Sequence, residues 1–345
     1  MIIRNERDVT AAVLEELAKA HDTRFREVMS AFVRHLHDFA REVKLTEEEF
    51  RRAIDYVVAL GHHTTDFHNE AVLMAGSLGF STLICLLNNG ANGQAETMAN
   101  LLGPFWRLGS PRTENGGSIV RSPTNGPALF VSACVRDTKG RPVEGAEVDV
   151  WQSSPQGFYD VQDPSQADMN LRGKFITDAA GCFSFWSVRP SGYPIPVSGP
   201  VGDLLRAQGR HNMRPAHVHF LIFKPGFKTL ISQVYLQDDP NLESDVQFGV
   251  TRPLVGNYIR HPGSPAHSDA LGWRPGSPAA GSPTGAEPGG VLAHSDALGL
   301  RDGAKAPPPR GNDAETDSEG GEWYSLDQTF VIESGQAQLP RPPVK

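Results

Sequence analysis

The sequence predicts a mostly β protein, with an α-helical N-terminal lobe over residues 1–105 and an antiparallel β-sandwich domain over residues 106–345. Apolar residues recur at helical spacing through the first part of the chain, and from Gly116 onward they recur with a period of two. Many short strands in succession are typical of an antiparallel sandwich. With 345 residues, of which 39% are hydrophobic, the chain can bury a sizeable core.

The N-terminal lobe is predicted to consist of helices. One helix is indicated by apolar residues three or four positions apart, namely Val28, Phe32, Leu36, Phe39 and Val43. The next begins where Thr46 and Glu49 have the spacing of a capping box. The segment 71–87 is nearly apolar on all sides, so it is predicted to form the body of one helix that is buried, in part against another subunit.

The sandwich domain is predicted from alternating apolar segments separated by turns that contain glycine. The predicted strands span residues 129–135, 146–151, 174–177, 183–188, 217–223 and 230–235, and a final strand spans 323–332. The connection between residues 153 and 172 is long for a loop without secondary structure. Long loops in compact domains usually carry function.

Residues 261–321 differ from the rest of the domain in composition. They are rich in Pro, Gly, Ser and Ala, and the heptapeptide at 266–272 is repeated at 293–299. So few apolar residues cannot offset the entropy of ordering the chain, and the segment is predicted to be a disordered, low-complexity insertion. Its repeated His-Ser-Asp is not interpreted as a catalytic triad, because a repeat in a flexible segment fixes no geometry.

Charge and hydropathy exclude several classes of function. A net charge of -8 argues against a nucleic-acid partner. The N-terminus has no signal-peptide pattern, and no apolar run approaches the length of a membrane span. We therefore expect a soluble, cytoplasmic protein.

The three cysteines, Cys85, Cys134 and Cys182, lie far apart and form no Cys-x-x-Cys motif. This spacing indicates neither a structural zinc site nor a disulfide framework. The expectation is three ordinary buried thiols in a reducing compartment.

The most informative segment is the His-x-His at 217–219, which follows Arg214-Pro215. On a strand, His217 and His219 point to one face with Leu221 and Phe223, while Val218, Phe220 and Ile222 point to the other. Two imidazoles on one face can bind one metal ion. The alternative is a buried, hydrogen-bonded histidine pair in a β core.

A metal site requires further ligands, and two kinds are available. A carboxylate such as Asp160, Asp163 or Asp178 would complete the two-histidine, one-carboxylate site of ferrous enzymes, and a zinc enzyme could also use such a set. Tyr159 and Tyr193 each lie in a turn marked by glycine or proline, where a phenol is held at a fixed angle. Tyr235 is a third tyrosine that spacing alone does not exclude, although most strand tyrosines serve in packing.

Several ordered motifs together resemble the intradiol ring-cleavage dioxygenases. The motifs are Val148-Asp149-Val150-Trp151-Gln152, Gly157-Phe158-Tyr159, Asn170-Leu171-Arg172-Gly173, Tyr193-Pro194-Ile195-Pro196, Gly209-Arg210-His211 and Arg214-Pro215-Ala216-His217-Val218-His219. The helical N-terminal region and Leu102-Gly103-Pro104-Phe105-Trp106 are most similar to the catechol and hydroxyquinol 1,2-dioxygenase branch. The resemblance covers residues 5 to 260 and resumes near Trp323.

The resemblance implies one Fe(III) per subunit, held by Tyr159, Tyr193, His217 and His219. It implies a catalytic sandwich domain that cleaves the ring of an aromatic diol with O2, giving a muconate or maleylacetate-type product. Tyr193, Arg214 and Gln233 would act in catalysis, and the N-terminal helices would form a homodimer. The ring pocket would be lined by Leu73, Gly76, Leu101, Pro104, Phe105, Ile195, Pro196 and Val250.

Two questions stay open at this point. Within the family, hydroxyquinol as substrate would be accompanied by an acidic residue near position 76, where this chain has glycine. Catechol therefore stays an alternative to hydroxyquinol. The alternative from another functional class is a metal-free, transthyretin-like β-sandwich that binds a ligand or partner without catalysis.

Overall fold

The computed structural model describes residues 2–65, 68–88, 96–263, 265 and 321–340. The chain divides into two compact units, Met1–Gly61 and His62–Lys345. The predicted insertion at 261–321 lies outside the described residues except at its two ends. The predicted domain boundary at 105/106 stays a prediction.

The first unit is helical. It contains α1 (Glu6–Leu17), α2 (Thr23–Glu42) and α3 (Glu47–His62). Asp22 caps α2 by accepting a hydrogen bond from the backbone N–H of Phe25 at 2.9 Å. The predicted capping box before α3 is confirmed, since the Thr46 N–H donates to Glu49 Oε2 at 2.9 Å and the Glu49 N–H donates to Thr46 Oγ1 at 3.2 Å.

The second unit opens with two short helices, α4 (Glu70–Ser77) and α5 (Phe80–Asn88). The prediction of one helix over 71–87 was wrong, because the chain turns at Gly79, whose φ of +71° lies in the left-handed region that ends helices. Helix α5 has no buried residue in this single chain, so its predicted burial, part of it against another subunit, stays a prediction. No single described helix is long and apolar enough to cross a membrane, although α4 and α5 pass that test together as a bent pair.

The rest of the second unit is built mainly of strands, and each of the seven predicted strands is confirmed to within two residues at either end. The strands are β1 (Ala128–Asp137), β2 (Glu147–Gln152), β3 (Arg172–Ile176), β4 (Cys182–Val188), β5 (Tyr193–Pro194), β6 (Met213–Arg214), β7 (His217–Phe223), β8 (Leu230–Leu236), β9 (Val255–Gly256), β10 (Tyr258–Pro262) and β11 (Glu322–Ile332). The short strands β5, β6, β9 and β10 were not predicted. A sixth helix, α6 (Pro200–Ala207), separates β5 from β6, and a 3₁₀ turn covers Arg252–Leu254.

The strands form two larger sheets and one short ladder. One sheet has the order β10-β11-β1-β4, the other has the order β3-β2-β7-β8-β9, and β5 pairs with β6. The prediction of purely antiparallel pairing was wrong in two places, because β11 runs parallel to β1 and β9 runs parallel to β8. A helical N-terminal region followed by sheets is nevertheless the predicted class of fold.

One hydrophobic cluster joins the two larger sheets. It includes Val131 of β1, Phe185 of β4, Phe330 of β11, and Val218 and Phe220 of β7, all of which are fully buried. The face of β7 that was predicted to be apolar therefore lies in the core. Each such side chain contributes about 1.5–3 kcal/mol on burial, which fixes the register of β7.

The expectation of three separate thiols was wrong for two of the cysteines. Cys134 of β1 lies directly opposite Cys182 of β4 in the antiparallel ladder, with 3.9 Å between their Cα atoms, and the two form a disulfide. They are 48 residues apart in sequence, so only the strand pairing brings them together. The reducing compartment inferred from the cysteines has lost its support, since disulfides are rare there.

Candidate metal centre

The two histidines of the His-x-His lie on β7, the central strand of the five-stranded sheet. His217 and His219 are each 1% exposed, and their Nε2 atoms are 3.1 Å apart. They project from the face opposite the core cluster, as the alternation predicted.

The neighbouring strands place aromatic and polar side chains beside each histidine. In the ladders, His219 lies between Trp151 of β2 and Gln233 of β8, and His217 lies opposite Tyr235 of β8. The Trp151 indole stacks on the His219 imidazole, with ring centroids 4.6 Å apart and planes within 9°. One strand register therefore builds a row of site residues across the sheet.

Tyr193 reaches the histidines from the short ladder of β5 and β6. It pairs there with Arg214, and its ring centroid lies 5.6 Å from that of His217. The preceding residue must be small, because a Cβ on Gly192 would lie 2.6 Å from the Arg214 carbonyl oxygen. The Ser-Gly-Tyr-Pro turn is thus what allows the phenol to approach β7.

Tyr159 comes from the long loop between β2 and β3. Its ring centroid lies 5.5 Å from that of Tyr193 and 6.4 Å from that of His219, and Phe105 stacks on it at 4.2 Å. The loop is anchored at the next residue, where both Arg172 and Arg107 form ion pairs with the Asp160 carboxylate. Two phenols and two imidazoles therefore meet in one buried cluster.

The unsatisfied polar atoms of this cluster fit a metal ion. In the ring of His217, Nδ1 lies 2.7 Å from the Pro215 carbonyl oxygen and donates a hydrogen bond to it. The other ring nitrogen, Nε2, therefore has a lone pair that can bind a metal ion. The Tyr159 hydroxyl and Nδ1 of His219 are buried and have no hydrogen-bond partner among the described residues. Unpaired buried polar atoms are costly, and a cation shared by the phenols and imidazoles would remove that cost for Tyr159.

Burial and nearby positive charge determine the protonation of these groups. Burial, with a contribution from Arg214, lowers the pKa of His217 to about 3. Burial, His217 and Arg214 hold the pKa of His219 well below its ordinary value, so both imidazoles are neutral and able to bind metal. Burial and Tyr193 raise the pKa of the Tyr159 phenol well above 10, so a strong positive charge beside it is needed for ionisation.

The structure gives no support to a carboxylate ligand. The Asp160 carboxylate is occupied by the two arginines, and Asp178 accepts hydrogen bonds from the backbone N–H groups of Ala180 and Cys182. Asp163 accepts hydrogen bonds from Ser165. Within the described part of the chain, no three side chains of the His, Cys, Asp and Glu types are grouped so as to hold a metal ion.

Comparisons with known proteins identify the family to which the chain is similar. Residues 103–274 match the family model described as dioxygenase, and residues 22–96 match the model of the catechol dioxygenase N terminus. A hydroxyquinol 1,2-dioxygenase of Nocardioides simplex is 40% identical over 257 residues, covering 74% of this chain and 87% of that protein. A catechol 1,2-dioxygenase of Candida albicans is 38% identical over 252 residues, covering 72% and 83%.

Among solved structures, a hydroxyquinol 1,2-dioxygenase from Pseudomonas putida DLL-E4 matches with a TM-score of 0.74 and 33% identity. The match covers 96% of this chain and 99% of that one. The chain belongs to the intradiol ring-cleavage dioxygenase family. This membership makes the protein an enzyme that opens aromatic diols, and nothing in the comparisons favours the transthyretin-like binding module.

In the dioxygenase, Arg214 is held beside the cluster by a buried ion pair. Its Nε lies 3.1 Å from Asp245 Oδ1 and its Nη2 lies 3.2 Å from Asp245 Oδ2. Burial alone would lower the pKa of Arg214, but the Asp245 carboxylate together with Tyr235 and Tyr193 holds that pKa well above its ordinary value. The guanidinium group is therefore a permanent, fixed cation.

Gln233 and Tyr235 are bonded to the same guanidinium. Nη2 of Arg214 donates to Gln233 Oε1 at 3.2 Å and to the Tyr235 hydroxyl at 2.9 Å, and Nε2 of Gln233 donates to the Leu101 carbonyl at 2.7 Å. Burial raises the pKa of the Tyr235 phenol, although Arg214 acts in the opposite direction. The ring of Tyr235 also lies beside His217, but its hydroxyl is hydrogen-bonded within the arginine network.

The residues predicted to line the ring pocket lie on four segments. Leu73 and Gly76 are on α4, and Leu101, Pro104 and Phe105 are on the segment that crosses β8. Ile195 and Pro196 are on the loop after β5, and Val250 is on the loop before the 3₁₀ turn. At position 76 the space is filled by another residue, because an added Cβ would lie 3.0 Å from Cδ of Gln247. Pro196 is exposed, while the other seven are buried or half-buried.

Sequence reasoning did not assign a role to three residues that support the site. Asp245 neutralises Arg214 from 31 residues away, and Arg172 holds Asp160 while donating from Nη1 to the Phe105 carbonyl at 2.6 Å. Arg172 was contained in one of the motifs that carry the resemblance, and so was Trp151. Asp245 had no local signal, since its partner is brought to it only by the fold.

We expect Asp160→Asn to destabilise the dioxygenase by about 3–5 kcal/mol, because it leaves the buried Arg172 cation without its counter-charge. The adjacent Tyr159 should also lose its fixed position, so metal retention should fall. Chemical unfolding and metal analysis measure the two effects. Asp168→Asn is the matched control, because Asp168 also pairs with Arg107 but its side chain is 77% exposed, and the loss should stay below about 1 kcal/mol. Equal effects of the two variants would contradict this role of the Asp160 ion pair.

Proposed function

We propose that the dioxygenase holds one Fe(III) per subunit through Tyr159, Tyr193, His217 and His219, and that it cleaves a catechol-type diol with O2. The observation that carries this proposal is the convergence of two phenols and two neutral imidazoles in one buried cluster. Two anionic oxygen donors favour a trivalent ion over a divalent one. When bound, the ferric ion supplies a Lewis acid that draws charge from a chelated diol and makes its ring reactive toward O2.

The two tyrosines are held differently, which supports different roles. Tyr159 is fixed by the Phe105 stack and by the ion pairs of its neighbour Asp160. Tyr193 is held by a ladder of only two residue pairs. We therefore assign to Tyr159 the role of a ligand that would hold the metal throughout. Tyr193 would be a ligand and also a base, because its Oη can take a proton from the diol.

Arg214 and Gln233 supply fixed donors beside the reacting ring. The guanidinium carries a permanent charge, and among the described residues no hydrogen bond reaches its Nη1. Gln233 Nε2 donates one of its two hydrogens to the Leu101 carbonyl, which leaves the second hydrogen as a further donor. Preorganised donors in a buried site stabilise negative charge that develops on substrate and oxygen without reorganising at the moment of reaction.

Hydroxyquinol is the substrate that we favour over catechol. Relatives described as hydroxyquinol 1,2-dioxygenases reach 40% identity, and the solved hydroxyquinol enzyme has a higher TM-score than a catechol enzyme of Pseudomonas arvilla, 0.74 against 0.69. The acidic residue expected near position 76 is absent, and the amide of Gln247 occupies that space instead. A polar amide there is compatible with a third ring hydroxyl, which can donate to it or accept from it.

We also propose that the dioxygenase is a homodimer formed through its N-terminal helices. Large apolar side chains are exposed on α2 and α3 of this single chain, among them Phe32, Leu36, Phe39, Phe50, Ile54 and Val57. Exposed apolar patches of this kind mark protein interfaces. We further propose that the two larger sheets pack face to face as a sandwich, which the core cluster shared by both sheets supports. The cytoplasmic location stays a prediction.

The first prediction concerns colour and iron. The purified protein should hold about one ferric ion per subunit and absorb broadly in the visible, because tyrosinate donates charge to Fe(III). Tyr159→Phe and Tyr193→Phe should each alter that band, and Tyr159→Phe should also weaken iron retention. Absorption spectra and iron analysis provide the measurement, and a colourless, metal-free wild type that still cleaves diols would overturn the assignment.

The second prediction separates charge stabilisation from metal binding. Arg214→Met should keep iron and colour while turnover per bound iron falls by roughly 100-fold or more, the scale for one preorganised electrostatic group. His219→Ala should instead lose iron. If Arg214→Met lowers iron content and stability but leaves the rate per iron unchanged, Arg214 has a structural role only.

A further inference from the structure

The Tyr235 hydroxyl is the meeting point of a buried hydrogen-bond network. The hydroxyl oxygen accepts hydrogen bonds from Nη2 of Arg214 at 2.9 Å and from Nδ2 of Asn100 at 3.3 Å. The hydroxyl proton is donated to Gln233 Oε1 at 2.5 Å. Tyr235, Gln233 and Arg214 are 0%, 0% and 2% exposed. In such an environment each bond is stronger than in water, and each missing partner is costly.

The direction of every bond in this network is fixed by chemistry. A guanidinium has only donors, so Arg214 must donate to both Tyr235 and Gln233. The phenol has one proton, and Gln233 Oε1 is the only one of its three partners that can accept it. The amide nitrogen of Gln233 therefore faces the opposite way, toward the Leu101 carbonyl, where its first hydrogen is bonded at 2.7 Å.

Tyr235 lies next to the metal ligands without joining them. Its ring is opposite His217 in the β7–β8 ladder, with ring centroids 5.1 Å apart. Its hydroxyl, by contrast, is hydrogen-bonded to Arg214, Gln233 and Asn100. The Asn100 side chain is itself fixed, since Nδ2 also donates to the Gly249 carbonyl at 2.7 Å.

We propose that Tyr235 is a positioning residue that holds the Arg214 guanidinium and the Gln233 amide in the orientation in which they meet negative charge on the substrate. It acts through these two residues and does not bind the metal. Without its hydroxyl, Gln233 Oε1 loses one of two donors, and Nη2 of Arg214 is shared between Gln233 and Asp245 alone. The inference rests on the proposed function, because it assigns Tyr235 to the step that Arg214 and Gln233 serve.

Tyr235→Phe removes the hydroxyl and keeps the ring that packs on His217. We expect iron content and the visible band of the holoenzyme to match wild type, while kcat per iron falls about tenfold and KM changes less. Tyr258→Phe is the matched control. Tyr258 is also a buried tyrosine, but its hydroxyl donates to the Val234 carbonyl at 3.0 Å, away from the arginine network, so kcat should not change.

A double-mutant cycle gives the decisive readout. If Tyr235 works through Arg214, Tyr235→Phe should have little further effect on kcat in an Arg214→Met background. The same tenfold loss in both backgrounds would overturn the proposal, as would unchanged kcat in the single variant. Loss of iron or a shifted band in Tyr235→Phe would identify a ligand instead, and failure to fold when Tyr258→Phe folds would identify a structural residue. An inactive wild-type holoenzyme would count against the proposed function itself, so the two failures are distinguishable.

Discussion

The register of β7 between β2 and β8 is the constraint on which the rest of the site depends. Because side chains alternate along a strand, the burial of Val218 and Phe220 in the core forces His217 and His219 to the other face. The same pairing places Trp151 and Gln233 on either side of His219. A slip of one residue would put both imidazoles in the core and two apolar side chains among the tyrosines.

Two buried ion pairs maintain the polar side of this arrangement. Arg172 with Asp160 anchors the loop that carries Tyr159, and Arg214 with Asp245 fixes a cation beside the histidines. Both arginines favour the ionised form of Tyr159, and Arg214 disfavours protonation of His217 and His219. The arrangement thus favours neutral imidazoles and reduces the cost of a tyrosinate once a metal ion is bound.

Much of the fold could be predicted because the signals are local. Alternation over residues 216–223 gives both faces of β7 and puts His217 and His219 on the same face. The choice of Tyr159 and Tyr193 as further ligands followed from the family resemblance, since the residues alone left carboxylate ligands open. The disulfide could not be predicted, since Cys134 meets Cys182 only after β1 pairs with β4. For the same reason no role could be assigned to Asp245 from the sequence, and apolar composition alone did not reveal the turn between α4 and α5.

The role of Tyr235 illustrates the same limit. From the sequence it was an alternative metal ligand, because a tyrosine on β8 has the correct face and spacing. Its hydrogen-bond partners show that the Tyr235 hydroxyl belongs to the arginine network, and these partners come from β6, β8 and the segment around Asn100. Whether a buried phenol binds metal or forms hydrogen bonds is determined by partners from distant segments. It cannot be inferred from residue type and position alone.

The most direct test of the account is the identity of the product that the iron-loaded protein forms from hydroxyquinol and from catechol under O2. The account predicts ring opening between the two hydroxyl-bearing carbons, giving a maleylacetate or muconate-type dicarboxylate that mass spectrometry and NMR can identify, with hydroxyquinol consumed faster. A semialdehyde, formed by cleavage beside the diol, or the absence of O2 consumption with either diol, would contradict it.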